Sequence, residues 1–193
     1  MKVAVLALQG AFREHREVLE ALDVDVVEVR APEHLSSVDA LFLPGGESTT
    51  MSKLLDSSGL FEPLRELVRD GVPTFGTCAG MILLAREVAD GRSDQHGFDV
   101  LDLRVRRNGY GRQVASFEAD LEVDALPGGP FHGVFIRAPF VERVGDGVDV
   151  LAEHEGVPVL VRHGRVWASS FHPELSGDLR LHERFLQDVG EPA

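Results

Sequence analysis

The sequence predicts one α/β domain over residues 1–193, with a mostly parallel central sheet and a second half rich in strands. Strand-like and helix-like segments alternate through the first half, and repeated units of this kind form parallel sheets with right-handed crossovers. Short strand patterns follow one another closely in the second half. A chain of 193 residues can bury one sizeable core but is short for two.

Strands and helices alternate in the first half of the chain. Apolar composition predicts buried strands at residues 2–8, 25–29, 40–43 and 72–75. Apolar residues at helical spacing predict helices at residues 11–22, 60–69 and 81–86. Gly71 is placed to end the second of these helices.

The second half is predicted to be mostly β-structure. Strand patterns occupy residues 100–107, 113–123, 133–136, 148–152, 157–162 and 165–169. The last three form a predicted meander, with hairpin turns at 155–156 and 163–164. A final helix is predicted over 178–189, with Leu181, Phe185 and Val189 facing inward.

Composition restricts the possible classes of protein. Apolar residues make up 44% of the chain and charged residues 26%, as in ordinary globular proteins. No apolar stretch approaches the roughly 18–20 residues that span a bilayer, and the N-terminal apolar run is too short for a usual signal peptide. A single cysteine cannot form an internal disulfide, which is typical of a reducing compartment. We therefore expect a cytoplasmic protein without membrane association.

The charge balance argues against nucleic acid as a partner. The net charge is −13, whereas phosphate binding needs clustered cations. The one local basic cluster consists of Arg104, Arg106, Arg107 and Arg112. Two interpretations of this cluster stay open: a solvated strand edge, or a few arginines that hold an anionic group.

Cys78 is the candidate nucleophile. It lies in Gly76-Thr77-Cys78-Ala79-Gly80, between a strand-like and a helix-like stretch, which is the layout of a nucleophile elbow. A thiol with an ordinary pKa of about 8.5 is mostly protonated at neutral pH, but the positive end of the following helix favours the thiolate. The N–H of Ala79 would supply half of an oxyanion hole. The alternative is a buried core cysteine.

His172 and Glu174 are the candidates for a general base and for the residue that orients it. In an extended segment residues i and i+2 point to the same side, and Pro173 makes a strand end or an edge loop the expected setting. Glu174 could then accept from one imidazole nitrogen while the other faces Cys78. The alternative is an exposed His-Pro-Glu turn. No cysteine or histidine spacing indicates zinc, so we expect no metal.

Segment 44–49, Pro-Gly-Gly-Glu-Ser-Thr, follows a predicted strand and so belongs at the carboxyl edge of the sheet, where ligands bind in α/β proteins. Its glycines permit a backbone N–H to face an oxyanion, and Glu47 and Ser48 could hold an amino-acid head group. The alternative is a loop that ends in a Ser48 or Thr49 helix cap. The segment is not a P-loop, because the required lysine is missing.

Together these motifs resemble those of the class I, triad-type glutamine amidotransferases, and more narrowly the glutaminase subunits of pyridoxal 5′-phosphate synthases. The resemblance covers nearly the whole chain. It is carried by segments 9–11, 14–15, 44–50, 76–81, 107–108, 111–113, 116–118, 135–139 and 170–175. One departure is mild, since Gly109-Tyr110 stands where relatives commonly have a small residue followed by phenylalanine.

The resemblance implies a three-layer fold and a mechanism. Cys78 would attack the side-chain amide carbon of glutamine, His172 would carry protons, and Glu174 would orient His172. A γ-glutamyl thioester would form and be hydrolysed to glutamate and ammonia, with no cofactor. Backbone groups of Gly46 and Ala79 match the family's oxyanion donors. The positions that match its glutamine contacts are Gly46, Glu47, Ser48, Arg107, Ile136 and Arg137.

The resemblance also implies a partner. In this family ammonia passes to a separate (β/α)₈-barrel synthase subunit, the complex contains twelve plus twelve subunits, and full glutaminase activity usually needs the partner. The nearest alternative is a glutaminase that serves another amidotransferase, such as imidazole glycerol phosphate synthase or a guanylate-forming enzyme. A cysteine peptidase or chaperone-like protein is a second alternative. A non-catalytic scaffold subunit is a third, although a binding module would not need the complete triad.

Overall fold

The structure is a computed structural model that describes residues 1–92, 94–107, 109, 116–124 and 126–190. The strands in these ranges are β1 (Lys2–Leu6), β2 (Asp25–Val29), β3 (Ala40–Leu43), β4 (Thr74–Thr77), β5 (Ala85–Val88), β6 (Leu101–Arg106), β7 (Ser116–Leu121), β8 (Phe131–Ile136), β9 (Phe140–Val144), β10 (Asp149–His154), β11 (Val157–His163) and β12 (Val166–Ser169). The α-helices are α1 (Phe12–Ala21), α2 (Ser48–Ser58), α3 (Phe61–Arg69), α4 (Ala79–Leu84) and α5 (Arg180–Gly190). Short 3₁₀ helices lie at Pro32–Leu35 and Pro173–Leu175.

A seven-stranded sheet forms the centre of the molecule, with the strand order β10-β11-β12-β4-β3-β1-β2. Strands β2, β1, β3, β4 and β12 run parallel to one another. Strand β11 pairs antiparallel with both β12 and β10, as the predicted meander requires. The mostly parallel central sheet and the β-rich second half are therefore confirmed. Strands β5, β6 and β9 form a smaller sheet, and β7 pairs with β8.

Helical layers cover both faces of the central sheet because its middle strands are apolar on both sides. In β1, Val3 and Val5 belong to one hydrophobic core, whereas Ala4 and Leu6 belong to the other. Side chains of α2, α3 and α4 complete the second of these cores. Side chains of α1 and α5 complete the first. The result is a three-layer arrangement in which the carboxyl ends of β1, β3, β4 and β12 share one edge.

Several elements differ from the sequence prediction. Helix α2 was not among the predicted helices, because most of its residues are polar and give a weak apolar period. The helix predicted over 81–86 ends at Leu84, and Ala85 already begins β5. Strand β9 was not predicted. Of the strand predicted over 113–123, residues 116–121 form β7, while 113–115 lie outside the described residues.

No helix within the described ranges combines the length and the apolar character needed to cross a bilayer.

Candidate active site

Cys78 lies at a sharp turn between β4 and α4. Its backbone has φ 51° and ψ −102°, a conformation that costs energy for a residue with a Cβ and that clusters at functional sites. The Cys78 N–H donates to Ser169 O at 2.8 Å, which ties the turn to the end of β12. Cys78 is 5% exposed, and its Sγ lies 3.9 Å from the carbonyl oxygen of Ile136. The strand–turn–helix layout predicted around Cys78 is thus present.

Glycine on either side of Cys78 lets the elbow pack against its neighbours. A Cβ on Gly80 would lie 2.1 Å from Leu43 O in β3, a distance that no side chain tolerates. A Cβ on Gly76 would lie 2.6 Å from Leu84 Cδ1 in α4. A side chain at either position would therefore clash with a neighbouring element.

His172 reaches the site from the chain that follows β12. Strand β12 lies beside β4 with Ser169 opposite Thr77, so the chain leaving β12 passes close to the elbow. The His172 N–H donates to Val134 O in β8 at 2.8 Å, which fixes the backbone. The imidazole and the elbow are also packed on the same glycine, because a Cβ on Gly45 would lie 2.2 Å from His172 Cε1 and 3.2 Å from the Cβ of Cys78.

Glu174 is hydrogen bonded to His172 from within a 3₁₀ helix. His172 Nδ1 lies 2.7 Å from Glu174 Oε1, and both residues are 6% exposed. The alternative of an exposed His-Pro-Glu turn is therefore wrong. The extended arrangement was wrong as well, because Glu174 belongs to the helix Pro173–Leu175, whose tight turn brings its carboxylate back to the imidazole.

The surroundings of His172 favour its charged form. Burial alone would lower the pKa of His172, but the hydrogen bonds and charges of Cys78 and Glu174 outweigh burial and raise the pKa to about 10. Burial likewise opposes the ionised form of Glu174, yet His15 and His172 hold the pKa of this carboxyl below its ordinary value. The imidazolium and the carboxylate therefore stabilise each other behind the thiol.

The elbow and His172 open into a pocket of about 150 Å³. Ile82 is the one lining residue that the sequence did not single out, because an apolar side chain at helical spacing indicates only core packing. Two predicted residues do not line the pocket: Ala79 is buried at the first position of α4, and Glu174 lies behind His172. The lining residues are Gly46, Glu47, Ser48, Cys78, Ile82, Arg107, Ile136, Arg137 and His172.

Two arginines give the pocket its positive charge. Arg107 is anchored within the protein, since its Nη1 donates to Thr49 Oγ1 at 2.8 Å and its Nη2 donates to Asp90 O at 3.0 Å. Arg137 directly follows β8, is exposed, and has the unusual φ of 44°. No acceptor in the described part of the chain pairs with the guanidinium of Arg137. Such a group, placed beside a nucleophile, is suited to a substrate carboxylate.

Each of the two interpretations of the predicted basic cluster holds for some of its arginines. Arg104 and Arg106 lie 2.9 and 2.6 Å from Glu142 carboxylate oxygens at the surface, as expected of a solvated strand edge. Arg107 lines the pocket, as expected of an anion-binding residue. Several residues of the same stretch lie outside the described residues: Asn108, Tyr110, Gly111, Arg112 and Gln113.

Glu47 caps helix α2. Its carboxylate accepts from the N–H groups of Thr49 at 3.0 Å and Thr50 at 2.8 Å. Burial would raise the pKa of Glu47, but these hydrogen bonds and that of the Thr50 hydroxyl lower it to about 2. A Ser48 or Thr49 cap, the alternative considered above, is wrong because Glu47 occupies the N-cap position. The carboxylate expected at a substrate head group is thus already engaged by the helix.

Gln9 clamps the same loop, and its side chain was not among the predicted site residues. Its Nε2 donates to Glu47 O at 3.1 Å, and the Glu47 N–H donates back to its Oε1 at 3.3 Å. The Ala11 N–H donates to Gly45 O at 3.1 Å. Because a trans peptide directs its C=O and N–H to opposite sides, the Gly46 N–H points away from Ala11. The position of Gln9 just after β1, at the carboxyl edge of the sheet, was the signal that could have found it.

Known proteins resemble this chain over nearly its whole length. The family model described as the SNO glutamine amidotransferase family matches residues 5–191. Pyridoxal 5′-phosphate synthase subunit PdxT of Pelotomaculum thermopropionicum is 56% identical over 187 residues, which cover 97% of this chain and 94% of that protein. The PdxT protein of Thermotoga neapolitana is 51% identical over 189 residues, which cover 98% of this chain and 100% of that protein.

Solved structures also match the fold. The crystal structure of a glutamine amidotransferase superposes with a TM-score of 0.92 at 54% identity, over 98% of this chain and 99% of that chain. A glutamine amidotransferase from Thermotoga maritima superposes with a TM-score of 0.64 at 14% identity, over 97% of this chain and 81% of that chain. At that low identity the second match concerns the fold alone.

Proposed function

The chain belongs to the SNO glutamine amidotransferase family, and from that membership we propose that it is the glutaminase subunit of a pyridoxal 5′-phosphate synthase. It hydrolyses L-glutamine to L-glutamate and ammonia within one glutaminase domain, residues 1–193. The PdxT relatives cited above, at 51% and 56% identity, support this assignment. The observation that carries the chemistry is the strained Cys78 turn, which shares one pocket with His172 and Arg137.

The first half of the reaction forms an acyl-enzyme. The thiol proton of Cys78 resides on His172, and Sγ attacks the side-chain amide carbon of glutamine while the carbonyl electron pair moves to oxygen. His172 then donates its proton to the amide nitrogen, the C–N bond breaks, and ammonia leaves. The product is a γ-glutamyl thioester on Cys78. Glu174 keeps Nδ1 of His172 occupied, so that the other ring nitrogen serves both transfers.

The second half releases glutamate. Neutral His172 accepts a proton from water as the water oxygen attacks the thioester carbon. The C–S bond then breaks, and Cys78 leaves as a thiolate beside the imidazolium. In both halves the N–H groups of Gly46 and Ala79 stabilise the oxyanion. Ala79 is the first residue of α4, so its N–H has no acceptor within the helix.

The pocket chemistry suits the amino-acid end of glutamine. Arg137 has no internal acceptor among the described residues and can pair with the α-carboxylate in bidentate fashion. Arg107, Ser48 and the backbone of Glu47 and Ile136 complete the proposed contacts around a pocket of about 150 Å³. This assignment explains why two arginines line the pocket of a chain whose net charge is −13.

We further propose that ammonia passes directly to a (β/α)₈-barrel synthase subunit in a complex of twelve plus twelve subunits. Ammonia released to neutral water becomes ammonium, which is not a nucleophile, so a direct path preserves its reactivity. Native mass spectrometry of the mixed subunits tests the stoichiometry. We place the complex in the cytoplasm, because a chain with a single cysteine is typical of a reducing compartment, and cell fractionation tests this location.

The decisive experiment compares wild type with Cys78→Ala, each mixed with the synthase subunit. Glutamate release should vanish in the variant, whereas co-elution with the synthase should persist. A glutamine-mimicking electrophile should modify the wild-type chain at Cys78, as mapped by peptide mass spectrometry. Glutamate production that survives the substitution would end the enzyme assignment and favour the scaffold alternative.

A further inference from the structure

A second pair of histidines lies behind the proposed triad, and neither ring belongs to the pocket. His15 of α1 and His182 of α5 are both 0% exposed. His15 Nδ1 lies 3.0 Å from His182 Nε2. The other ring nitrogen of His15, Nε2, lies 3.1 Å from Thr77 Oγ1, on the residue before the nucleophile, and 3.3 Å from Glu174 Oε2. His15 therefore contacts both the elbow and the carboxylate.

The two oxygens of Glu174 have different surroundings. Oε1 is hydrogen bonded to His172, but Oε2 is buried and accepts no well-aligned hydrogen bond from the described residues. A buried carboxylate oxygen without a donor is costly. His15 Nε2 is the polar atom within ion-pair distance of Oε2, and a small rotation of either side chain would align its N–H with that oxygen.

One arrangement of protons satisfies these contacts when both rings are neutral. His15 must carry its proton on Nε2, since a bare lone pair there would face the Glu174 carboxylate. Its Nδ1 is then an acceptor and must receive the Nε2–H of His182. The remaining nitrogen, His182 Nδ1, carries no proton, which agrees with its lack of a partner within the described residues.

The electrostatics of the cluster keep both rings neutral. Burial lowers the pKa of His15; Glu174 and Glu14 oppose that effect, and His172 adds to it. Burial and the neighbouring His15 lower the pKa of His182 to about 3, against a raising influence of Glu174. A neutral ring can donate to Glu174 without bringing a second positive charge to compete with the His172 imidazolium.

We propose that His15 is a positioning residue of this site: its Nε2–H supports Glu174 Oε2 and thereby holds the carboxylate in place for His172. His182 in turn fixes the proton of His15 on Nε2. This inference rests on the proposed roles of Cys78, His172 and Glu174. It makes helices α1 and α5 part of the support of the catalytic groups.

His15→Leu removes the donor while keeping an apolar side chain of similar size. Assayed with the synthase subunit, its kcat for glutamine hydrolysis should fall about 10- to 100-fold, the worth of one hydrogen bond to a charged group. KM should change little, because His15 does not line the pocket. The acid limb of kcat/KM should move to higher pH, since the ionised form of Glu174 has lost a donor. His15→Gln, whose amide N–H can reach toward the Nε2 position, should restore most of the activity.

Leu19→Ala is the matched control, one turn further along α1 and also 0% exposed. It should lower the unfolding temperature by creating a cavity, yet keep kcat per folded molecule and the acid limb. If His15→Leu does not fold, His182→Phe carries the test. Loss of its weaker neutral hydrogen bond should lower kcat by about 3- to 10-fold and move the acid limb in the same direction.

The outcomes separate this inference from the proposed function. Wild type that fails to hydrolyse glutamine, or Cys78→Ala that retains activity, would end the proposed function itself. Wild type that behaves as proposed, combined with a folded His15→Leu variant of unchanged kcat and acid limb, would overturn only the role of His15. The same unchanged values in His182→Phe would overturn it where His15→Leu cannot be purified.

Discussion

The charge of Glu174 should control the reactivity of Cys78. The pKa of His172 rises from 6.5 to about 10 even though burial opposes the rise. That increase corresponds to roughly 5 kcal/mol of imidazolium stabilisation, which Cys78 and Glu174 provide together. Glu174→Gln keeps the size of the side chain and removes its charge. With the stabilisation shared between two neighbours, the loss is about 2–3 kcal/mol, or about 30- to 150-fold in the equilibrium constant between the imidazolium–thiolate pair and the neutral pair.

Alkylation by iodoacetamide measures the imidazolium–thiolate population without substrate. The chain has one cysteine, so the loss of free thiol reports Cys78 alone. At pH 7 the alkylation rate constant of Glu174→Gln should fall, with about 150-fold as the upper limit set by the change in that equilibrium constant. It should recover at alkaline pH, where the thiol ionises without an imidazolium beside it. The kcat for glutamine hydrolysis should fall in parallel, because His172 also activates the water.

A surface pair provides the matched control for this substitution. Glu118 Oε2 lies 2.9 Å from His132 Nε2 at an exposed position, so Glu118→Gln also removes one carboxylate from a glutamate–histidine pair. The alkylation rate and kcat of that variant should equal those of wild type. The reasoning is refuted by a folded Glu174→Gln protein whose Cys78 is alkylated at the wild-type rate at pH 7. Glu174 would then contribute nothing to the stability of the His172 imidazolium.

Three further predictions concern the buried imidazole of His182, the close packing of Gly80 and the pairing of Arg137 with the substrate carboxylate. The pKa of His182 is 6.5 when exposed and, through burial, about 3 when folded, so its contribution to stability is complete above pH 6.5 and is lost as the pH falls toward 3. In urea unfolding, His182→Phe should therefore reduce the loss of stability between pH 6.5 and pH 5 by about 2 kcal/mol. Gly80→Ala places a Cβ 2.1 Å from Leu43 O and should lower the free energy of unfolding by about 1–3 kcal/mol or more, as read from the urea midpoint. Arg137→Gln should raise KM for glutamine about 10- to 100-fold, by loss of a charged hydrogen bond, while the alkylation of Cys78 stays unchanged.

Each of these substitutions has a control elsewhere on the chain. His163→Gln replaces an exposed histidine and should leave the pH dependence of stability as in wild type. Gly190→Ala adds a methyl group to open space and should not lower the urea midpoint. Arg143→Gln breaks a surface pair with Asp102 and should not change KM. The respective arguments fail if His182→Phe keeps the wild-type pH slope, if Gly80→Ala keeps the midpoint, or if Arg137→Gln keeps KM.

Most strands were predictable from sequence because their patterns are local. Residues 25–29 and 40–43 were predicted as strands, and they form β2 and β3 with the same bounds. Helix α2 was not predicted, because its start depends on the Glu47 side chain turning back to cap it, which apolar periodicity does not record. Strand β9 alternates poorly, since charged residues at its centre pair with β6.

The candidate site was predictable where a motif carries the chemistry. Cys78, His172 and Glu174 stand in short segments whose residue types indicate their roles, and the structure brings them together. The histidine pair behind these residues was not predictable. His15 and His182 are 167 residues apart in the chain, and each occupies a buried helix position that periodicity assigns simply to the core. Only the packing of α1 against α5 reveals which polar atoms those rings meet.

The place of β12 in the sheet has a consequence for biosynthesis. This strand enters between β4 and β11, so the chain must return from its second half to sit beside the elbow. Under the proposed mechanism, a growing polypeptide that has emerged from the ribosome only as far as β11 contains the nucleophile Cys78 but not yet its base, His172. If that mechanism holds, glutamine hydrolysis begins only late in translation, and an unfinished subunit releases no ammonia.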